Sequence, residues 1–329
     1  MNQKTNADIL VSVICITYNH GKYIADALEN FVKQKTTFKF EVLVHDDCST
    51  DETIAIIEKY EKQYPDIVKA YYEEENQHSK GVSPTRLMMS KACGKYVALC
   101  EGDDFWRDEN KLQKQIDYME KHNECALCIH GTDVLNVENG KIIRRMNMYD
   151  ENCVVEPETI LIRRNDFATS SMIFRKVDID NYPKDFGFFD YMLKSYLATK
   201  GNAYYIAESM SVYRTGVIGA WTQRVAKSPE KFRMFIQKEI DFYEKFNVFS
   251  DFKFNKEVEE LKRNREYRLS KVNNDYKKAI NEYPELVKTE RCFEKVFIYG
   301  NAYCPKILKT VQYLYRGIKK LIGTKKEKK

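Results

Sequence analysis

Apolar residues in the first third of the chain fall into short unbroken runs that alternate with stretches of helical spacing. The runs at residues 9–16, 40–44 and 68–72 are rich in β-branched side chains, as in strands that are buried on both faces of a parallel sheet. Between them, apolar residues recur every three or four positions at 23–32 and 54–60, which is the period of a helix. The pattern predicts β-α-β-α-β, an open parallel sheet with helices on its faces.

Three carboxylates crowd the turn that follows the next apolar run. Glu101, Asp103 and Asp104 lie almost side by side, just before a helix-spaced stretch that begins at Asp108. Carboxylates this close repel one another, and burying any of them unpaired is costly. A hard divalent cation takes oxygen ligands and shares them with phosphate, so the turn predicts a metal–phosphate site. The alternative is helix capping, for which Asp108 alone would suffice.

Two further polar loops follow the first two strands and should lie at the same edge of the sheet. One contains Thr17, Tyr18 and Asn19, and the other contains Asp46 and Asp47. A carboxylate at a strand end can accept hydrogen bonds from a nucleobase or from ribose hydroxyls, and a tyrosine ring can stack on a base. Turn and cap chemistry would also account for the second loop. The sequence contains neither a glycine-rich dinucleotide fingerprint after the first strand nor a phosphate-binding lysine loop.

The remainder of the chain predicts shorter strands and then long helices. A strand at 125–137 ends at the hairpin signal Asn139-Gly140, with a return strand at 141–148. Further predicted elements are a short helix at 156–162, strands at 168–174 and 203–207, and helices at 190–198, 229–246 and 252–283. We expect an α/β domain at 8–222 and a helical extension at 223–329.

Composition is that of a globular protein, with 43% hydrophobic and 31% charged residues among 329. No window approaches 18 consecutive apolar residues, so no transmembrane helix is expected. The polar first seven residues do not resemble a secretory signal, and we expect a cytoplasmic protein. The nine cysteines are scattered, which favours reduced thiols over disulfides or a zinc site.

The end of the chain is basic, although the net charge is only +5. Apolar residues between 307 and 322 have helical spacing, with lysines on the other side and at the end. Such a helix can lie on an anionic membrane surface, possible here through residues 305–329. Packing on the protein itself or on a second subunit fits the pattern equally well. The preceding helices mix acids with bases and contain no nucleic-acid-binding motif.

Three motifs in this order resemble the family 2 glycosyltransferases of GT-A fold. They are Val11-Ser-Val-Ile-Cys-Ile-Thr-Tyr-Asn19, Val42-Leu-Val-His-Asp-Asp-Cys-Ser-Thr-Asp51 and Glu101-Gly-Asp-Asp-Phe-Trp106. The resemblance covers residues 9–221 and implies a Rossmann-like, mostly parallel sheet with flanking helices. It also implies transfer of a sugar from a nucleotide-diphosphate donor, usually UDP-linked, to a saccharide or lipid-linked acceptor in surface polysaccharide or lipopolysaccharide synthesis.

The resemblance also assigns roles to individual residues. Those implied to bind the nucleotide-sugar are Thr17, Tyr18, Asn19, Asp47, Lys80, Arg86, Asp103, Trp106, Tyr213 and Arg214. Glu101 and Asp103 occupy the D-x-D position that holds a divalent metal, Mn²⁺ or Mg²⁺, with glutamate as a conservative departure. An ordinary exposed helix arginine is the alternative for Arg86.

Asp190 occupies the position of the general base, which takes a proton from the acceptor hydroxyl in an inverting transfer. The alternative from spacing alone is an N-terminal helix cap, and one residue can serve as both. Related sequences often have a histidine after the Tyr-Arg pair, followed by a loop that contains tryptophan. Tyr213, Arg214 and Trp221 fit, but Thr215 stands where the histidine is expected. This departure leaves a catalytically degenerate scaffold protein as the alternative to an enzyme.

Overall fold

The computed structural model describes residues 8–217 and 228–306, and the chain divides into two compact units between residues 220 and 221. Trp221 and most of the predicted C-terminal helix at 305–322 lie outside these residues. Within the described ranges, no helix combines the length and the apolar character needed to cross a membrane.

The first unit is built on one mixed sheet. Its strands are β1 Ile9–Thr17, β2 Lys39–Asp46, β3 Val68–Tyr72, β4 Tyr96–Leu99, β5 Phe105–Trp106, β6 Cys125–Asn136, β7 Lys141–Met146, β8 Cys153–Val155, β9 Ile173–Arg175 and β10 Asn202–Thr215. The order is β3-β2-β1-β4-β9-β6-β10-β5, with β7 on β6 and β8 on β10. Strands β1 to β4 run parallel, as do β6 and β10, whereas the pairings of β5, β7, β8 and β9 are antiparallel.

Helices flank this sheet and make up the second unit. Those of the first unit are α1 Ile24–Val32, α2 Thr53–Gln63, α3 Pro84–Met89, α4 Lys111–Met119, α5 Pro157–Ile162 and α6 Asp190–Ala198. Those of the second are α7 Pro229–Phe249, α8 Asn255–Val272, α9 Tyr276–Glu282, α10 Pro284–Thr289 and α11 Cys292–Tyr303. The predicted β-α-β-α-β beginning, the hairpin at Asn139-Gly140 and the helix from Asp190 to Ala198 are confirmed.

Two predicted elements were wrong in part. The strand predicted at 168–174 is a 3₁₀ turn, Thr169–Ser171, followed by the short strand β9. The helix predicted at 252–283 breaks after Val272, because Asn274 has a positive φ of 60° and Asp275 caps the new helix by accepting from the Lys278 amide. Periodicity continues across such a break, since the side chains on either side still face one core.

The sheet register aligns the ends of the strands that were expected to meet. Thr17 pairs with Asp46 across β1 and β2, so both strands end at the same level. Ile14 pairs with Leu99, the last residue of β4, which places the turn after β4 beside the end of β1. The loops after β1, β2 and β4 therefore share one edge of the sheet, as predicted.

Candidate functional site

The acidic turn lies directly against the end of β1. The Gly102 amide donates to the Ile16 carbonyl at 2.9 Å. A Cβ atom on Gly102 would stand 2.9 Å from both Cβ and Oγ1 of Thr17 and from Cδ1 of Ile24. Only glycine allows this approach, which fixes the carboxylates on either side of it above the strand end.

The three carboxylates of the turn have different surroundings. Asp104 is buried and accepts a hydrogen bond from the Arg214 amide at 2.9 Å, so it joins the turn to β10. Asp103 is partly accessible, and its Oδ2 lies 3.9 Å from Nε2 of His20. Glu101 is on the surface side of the turn. Burial, together with the charges of Asp103 and Glu101, raises the pKa of Asp104.

Arg214 holds the turn from the other side. Its guanidinium donates to the Asp103 carbonyl at 3.0 Å and pairs with the Asp26 carboxylate. The same group lies against the rings of Tyr23 and Phe105, at 5.2 and 4.5 Å from their centroids. The side chain is mostly buried, which strengthens these contacts. Arg214 thus lies at the acidic turn, and the donor contact that the resemblance implies for it stays a prediction.

Asp190 is the first residue of α6 and is close enough to the acidic turn to influence it. Partial desolvation, with the charges of Asp103 and Asp190, raises the pKa of Glu101 to about 8, although part of its surface is accessible. The Asp190 side chain is 50% exposed and lies 3.3 Å from the buried Nζ of Lys194. Lys194 also donates to the carbonyls of Arg164 and Phe167, so its position is fixed.

Asp190 does not cap α6, which was the alternative to its role as a base. Phe189 is the N-cap of α6, and no side chain forms the capping hydrogen bond. Asp108 likewise does not cap α4, whose N-cap is Asn110; it accepts from the Asn110 amide and from Lys114 instead. Neither the base candidate nor the acidic turn is therefore accounted for by helix capping.

Asp47 anchors a loop. Its two carboxylate oxygens accept from the backbone amides of Gln77 and His78 at 2.7 and 3.1 Å, and its carbonyl accepts from Asn76. The carboxylate is almost fully buried. Each oxygen retains a further lone pair for a ligand, so the donor contact implied for Asp47 stays a prediction.

The loop after β1 is held by the loop after β2. Asn19 has a positive φ of 55°, its amide donates to Ser49 Oγ at 2.8 Å, and its side chain accepts from the Thr50 amide. Tyr18 is left 40% exposed, which suits a ring that stacks on a base. Thr17 is buried, and its Oγ1 has no hydrogen-bond partner in the described residues.

Four of the implied donor-binding residues have other surroundings. Trp106 is fully buried against Phe31 and donates to the Ser170 carbonyl, so it offers no surface to a ligand, and its implied donor contact is corrected to a core role. Lys80 pairs with Glu75 at an exposed position. Tyr213 is partly buried on β10.

Arg86, the fourth, braces the segment that leads to Asp190. Its guanidinium donates to the carbonyls of Pro183 and Phe186 at 2.9 and 3.1 Å, and to that of Lys184 at 3.3 Å. It also lies 5.2 and 5.5 Å from the ring centroids of Tyr182 and Phe188. These contacts span the loop before α6, so Arg86 is not the ordinary exposed arginine of the alternative, and its implied donor contact stays a prediction.

His20 is a site residue that the sequence analysis did not single out. It follows Asn19 in the loop after β1, faces Asp103 and is mostly buried, with Nδ1 unpaired in the described part of the chain. Burial is the main cause of its lowered pKa. The sequence could have indicated His20 as a candidate, because it lies in the turn Asn19-His20-Gly21 that follows the first strand.

The turn offers oxygen donors to a cation, but the protein does not enclose one. Among residues 8–217 and 228–306, no group of three or more histidine, cysteine, aspartate or glutamate side chains is arranged to hold a metal ion. Glu101 and Asp103 would supply two carboxylates. Desolvation first, and then the charges of Asp103 and Asp190, raise the pKa of Glu101, and a cation would neutralise those charges. The residues thus fit an ion that completes its shell with phosphate oxygens and water.

The family is decided by comparison with known proteins. A model described as Glycosyl transferase family 2 matches residues 12–220, well over half of the chain. The chain belongs to glycosyl transferase family 2. It is 34% identical to an uncharacterized protein of Mycobacterium tuberculosis over 214 residues, 64% of this chain and 60% of that protein. It is also 35% identical to the putative teichuronic acid biosynthesis glycosyltransferase TuaG of Bacillus subtilis, over 40% of this chain and 50% of TuaG.

Solved structures confirm the GT-A fold for this family 2 member. TarS of Staphylococcus aureus, residues 1–349 with UDP-GlcNAc, matches with a TM-score of 0.59 at 19% identity, over 89% of this chain and 79% of that one. The mannosyltransferase PcManGT of Pyrobaculum calidifontis, with GDP-Man and Mn²⁺, matches with a TM-score of 0.54 at 16% identity, over 93% and 84%. The α/β class with C-terminal helices predicted from the sequence is thus confirmed.

Proposed function

We propose that this protein is a nucleotide-sugar-dependent glycosyltransferase whose centre is formed by the acidic turn and Asp190. One observation supports this most directly: the Gly102 amide donates to the Ile16 carbonyl at 2.9 Å and so holds Glu101 and Asp103 at the sheet edge that the loops after β1 and β2 share. Family membership supports the reaction class. A fold kept only as a scaffold would have no need to hold these acids together against their mutual repulsion.

The donor would bind across the loops after β1, β2 and β4. Tyr18 offers an exposed ring to the base, and Thr17, Asn19 and Asp47 surround the same strand ends. A UDP-sugar is the proposed donor, because the structural neighbour TarS has been solved with UDP-GlcNAc. Tyr213 and Arg214 would complete the site on the β10 side, and Lys80 would approach it from the loop that Asp47 anchors.

Glu101 and Asp103 would hold a divalent cation, Mn²⁺ or Mg²⁺. Such an ion supplies neutralising charge to the departing diphosphate. The mannosyltransferase neighbour was solved with Mn²⁺. The protein's own part is to keep these carboxylates fixed, through Gly102 against β1 and through Arg214 on the Asp103 carbonyl.

Asp190 would act as the general base of an inverting transfer. Its carboxylate is half exposed and can reach an acceptor hydroxyl from solvent. Nζ of Lys194 is buried and held by two backbone carbonyls, and it orients the Asp190 carboxylate from a distance of 3.3 Å. The acceptor hydroxyl would lose its proton to Asp190 as its oxygen attacks the anomeric carbon and the diphosphate leaves.

The proposed acceptor is a saccharide or lipid-linked saccharide in surface polysaccharide or lipopolysaccharide synthesis. The named relative TuaG is described as a teichuronic acid biosynthesis glycosyltransferase. We propose a cytoplasmic enzyme that works at the inner face of the cell membrane. The basic segment 305–329 is the predicted contact with that surface, and residues 307–329 lie outside the described part of the chain.

Donor hydrolysis tests the proposal. Wild type, Asp103→Asn and the control Asp117→Asn, an exposed acid of α4, are incubated with UDP-, GDP- and dTDP-sugars, with Mn²⁺, Mg²⁺ or chelator. We expect nucleoside diphosphate release from one donor, lost in Asp103→Asn and in chelator but kept in the control. Release that survives chelator would retain the transferase and remove the metal. No release and no calorimetric nucleotide binding would leave a scaffold protein.

A further inference from the structure

Helix α11 has two apolar faces, and among the described residues one of them packs against other helices of the second unit. Ile298 and Ala302 point into the core of the second unit, where they pack with residues of α8, α9 and α10. Phe297 reaches the ring of Tyr276 on that side, at 5.7 Å between centroids. The covered face accounts for the folding of the helix, and it leaves the opposite side unexplained.

The opposite side presents large apolar groups to solvent. Phe293 and Val296 are 77% and 63% exposed, and Tyr299 and Tyr303 are also exposed. At 100° per residue these four share one side of the helix, away from Ile298 and Ala302. We name Phe293, Val296, Tyr299 and Tyr303 the α11 stripe. Single exposed apolar residues are ordinary, but four on one helix face mark an interaction surface.

A segment that is both apolar and basic follows the helix in the sequence. Its apolar residues recur every three or four positions, which is helical spacing: Ile307, Leu308, Val311, Leu314, Tyr315, Ile318, Leu321 and Ile322. Basic residues lie between these positions and at the end of the segment. The α11 stripe is therefore followed closely by a strongly basic stretch of sequence.

Charge decides between the candidates for what covers this surface. Residues 306–329 contain nine lysines and arginines and one acid, Glu327. A second copy of the chain would bring two such segments together, and like charges repel. An anionic bilayer attracts them, and it accepts aromatic and aliphatic side chains at the depth of its headgroups. Tyrosine, which supplies two of the four stripe residues, is enriched at that interface.

We propose that the α11 stripe is part of a membrane-binding face, which docks the second unit on an anionic lipid surface together with the basic segment that follows. The stripe supplies apolar contact and the lysines supply attraction. Two such signals are needed for stable peripheral binding, because one alone gives only weak, reversible association.

The test uses the full-length chain and vesicles of phosphatidylcholine with or without phosphatidylglycerol. The stripe variant is Phe293→Ser with Val296→Ser. The matched control is Met234→Ser with Val248→Ser, which removes two equally exposed apolar side chains of α7. Circular dichroism confirms that each variant is folded. We expect wild type and control to float with the anionic vesicles, and the stripe variant to bind about tenfold more weakly.

Four other outcomes are possible, and each of them would overturn the proposal. Equal binding of stripe variant and wild type, with loss only on truncation after Cys304, would leave the basic segment as the whole anchor. Equal weakening of both double variants would mean a general effect of apolar surface. Equal binding to neutral vesicles would remove the electrostatic part. A dimer by light scattering that the stripe variant makes monomeric, without vesicle binding, would identify a second copy. Donor hydrolysis by the stripe variant separates each result from the proposed transferase.

Discussion

Asp190 concentrates most of the proposed chemistry in one side chain, and its surroundings suit the role. A carboxylate at a helix N-terminus is stabilised by the helix dipole. Here Lys194 adds a fixed cation behind it, at 3.3 Å. The position combines access to solvent on one side with a buried partner on the other, which is what a general base at neutral pH requires.

Asp190→Asn is therefore expected to lower turnover by about 10²–10⁴-fold. The amide has the same shape but cannot take the proton. UDP affinity, measured by calorimetry, should be unchanged, because the donor loops lie elsewhere. The matched control is Asp185→Asn, an exposed acid of the preceding loop. Equal activity of Asp190→Asn and Asp185→Asn would exclude Asp190 as the base.

Arg86 shows how one residue can serve an element other than its own. It belongs to α3, yet its guanidinium is satisfied by carbonyls of the loop that precedes α6. Three charge-assisted hydrogen bonds and two ring contacts exceed what an exposed surface arginine makes. The loop in turn determines where α6 begins, and hence where Asp190 stands.

Arg86→Met is expected to loosen this loop while leaving the donor loops intact. Proteolytic cleavage between residues 178 and 189 should become about tenfold faster, and UDP affinity should change by less than about twofold. Turnover should fall, because Asp190 loses its fixed position. A large loss of UDP affinity, with uridine binding unchanged and no increase in cleavage, would instead assign Arg86 to the diphosphate, as the family resemblance implies.

At the scale of elements, α4 and β5 meet through a buried lysine. Nζ of Lys111 lies 4.0 Å from the ring centroid of Trp106 and 2.7 Å from Oε1 of Gln115. Burial lowers the pKa of Lys111 to about 7. The unfolded chain therefore binds more protons than the folded one between about pH 7 and 10.5, and the free energy of unfolding should rise with pH in that window.

Lys111→Met should remove this dependence. Near pH 7 and below, the variant is expected to be more stable than wild type by about 1 kcal/mol or more, because it has no charge to desolvate. The difference should shrink towards pH 10. Urea unfolding followed by fluorescence measures both curves, and Lys121→Met at an exposed position is the control. A difference that is constant with pH would contradict the assigned cause.

At the scale of the molecule, all proposed site residues belong to the first unit. The acidic turn, Asp190 and Arg214 lie between residues 8 and 217, and the α11 stripe lies in the second unit. Catalysis and membrane contact are thus assigned to different compact units. Such a division lets one unit recognise a soluble donor and the other a surface.

Truncation after Cys304 should separate these two tasks. Donor hydrolysis is expected to remain within about twofold of the full-length chain, since no site residue is removed. Binding to anionic vesicles should fall, because the basic segment is lost. Parallel assays on one preparation measure both quantities. Loss of hydrolysis in a truncated protein that is still folded would show that the site depends on residues 305–329.

The sequence by itself determined the strands, their order of appearance and the motifs at their ends. Runs of buried β-branched residues strongly favour strands over helices. The turns after residues 17, 46 and 100 follow from where those runs stop. It also determined the family, because three motifs in the right order are far more specific than any one. It could not determine the break after Val272, since the apolar period persists through Asn274.

Only the tertiary structure decided which of the implied residues are buried and which remain accessible. Trp106 and Asp103 are three positions apart, yet one is fully buried and the other is partly exposed beside His20. Arg86, which the resemblance assigns to the donor, donates to carbonyls of a loop about a hundred residues further along the chain. The spacing of residues along the chain predicts on which face of a helix or strand a side chain lies. It does not predict the side chain's partners, because these come from segments far away in sequence. Those long-range contacts, and the orientation they impose, exist only once the chain has folded.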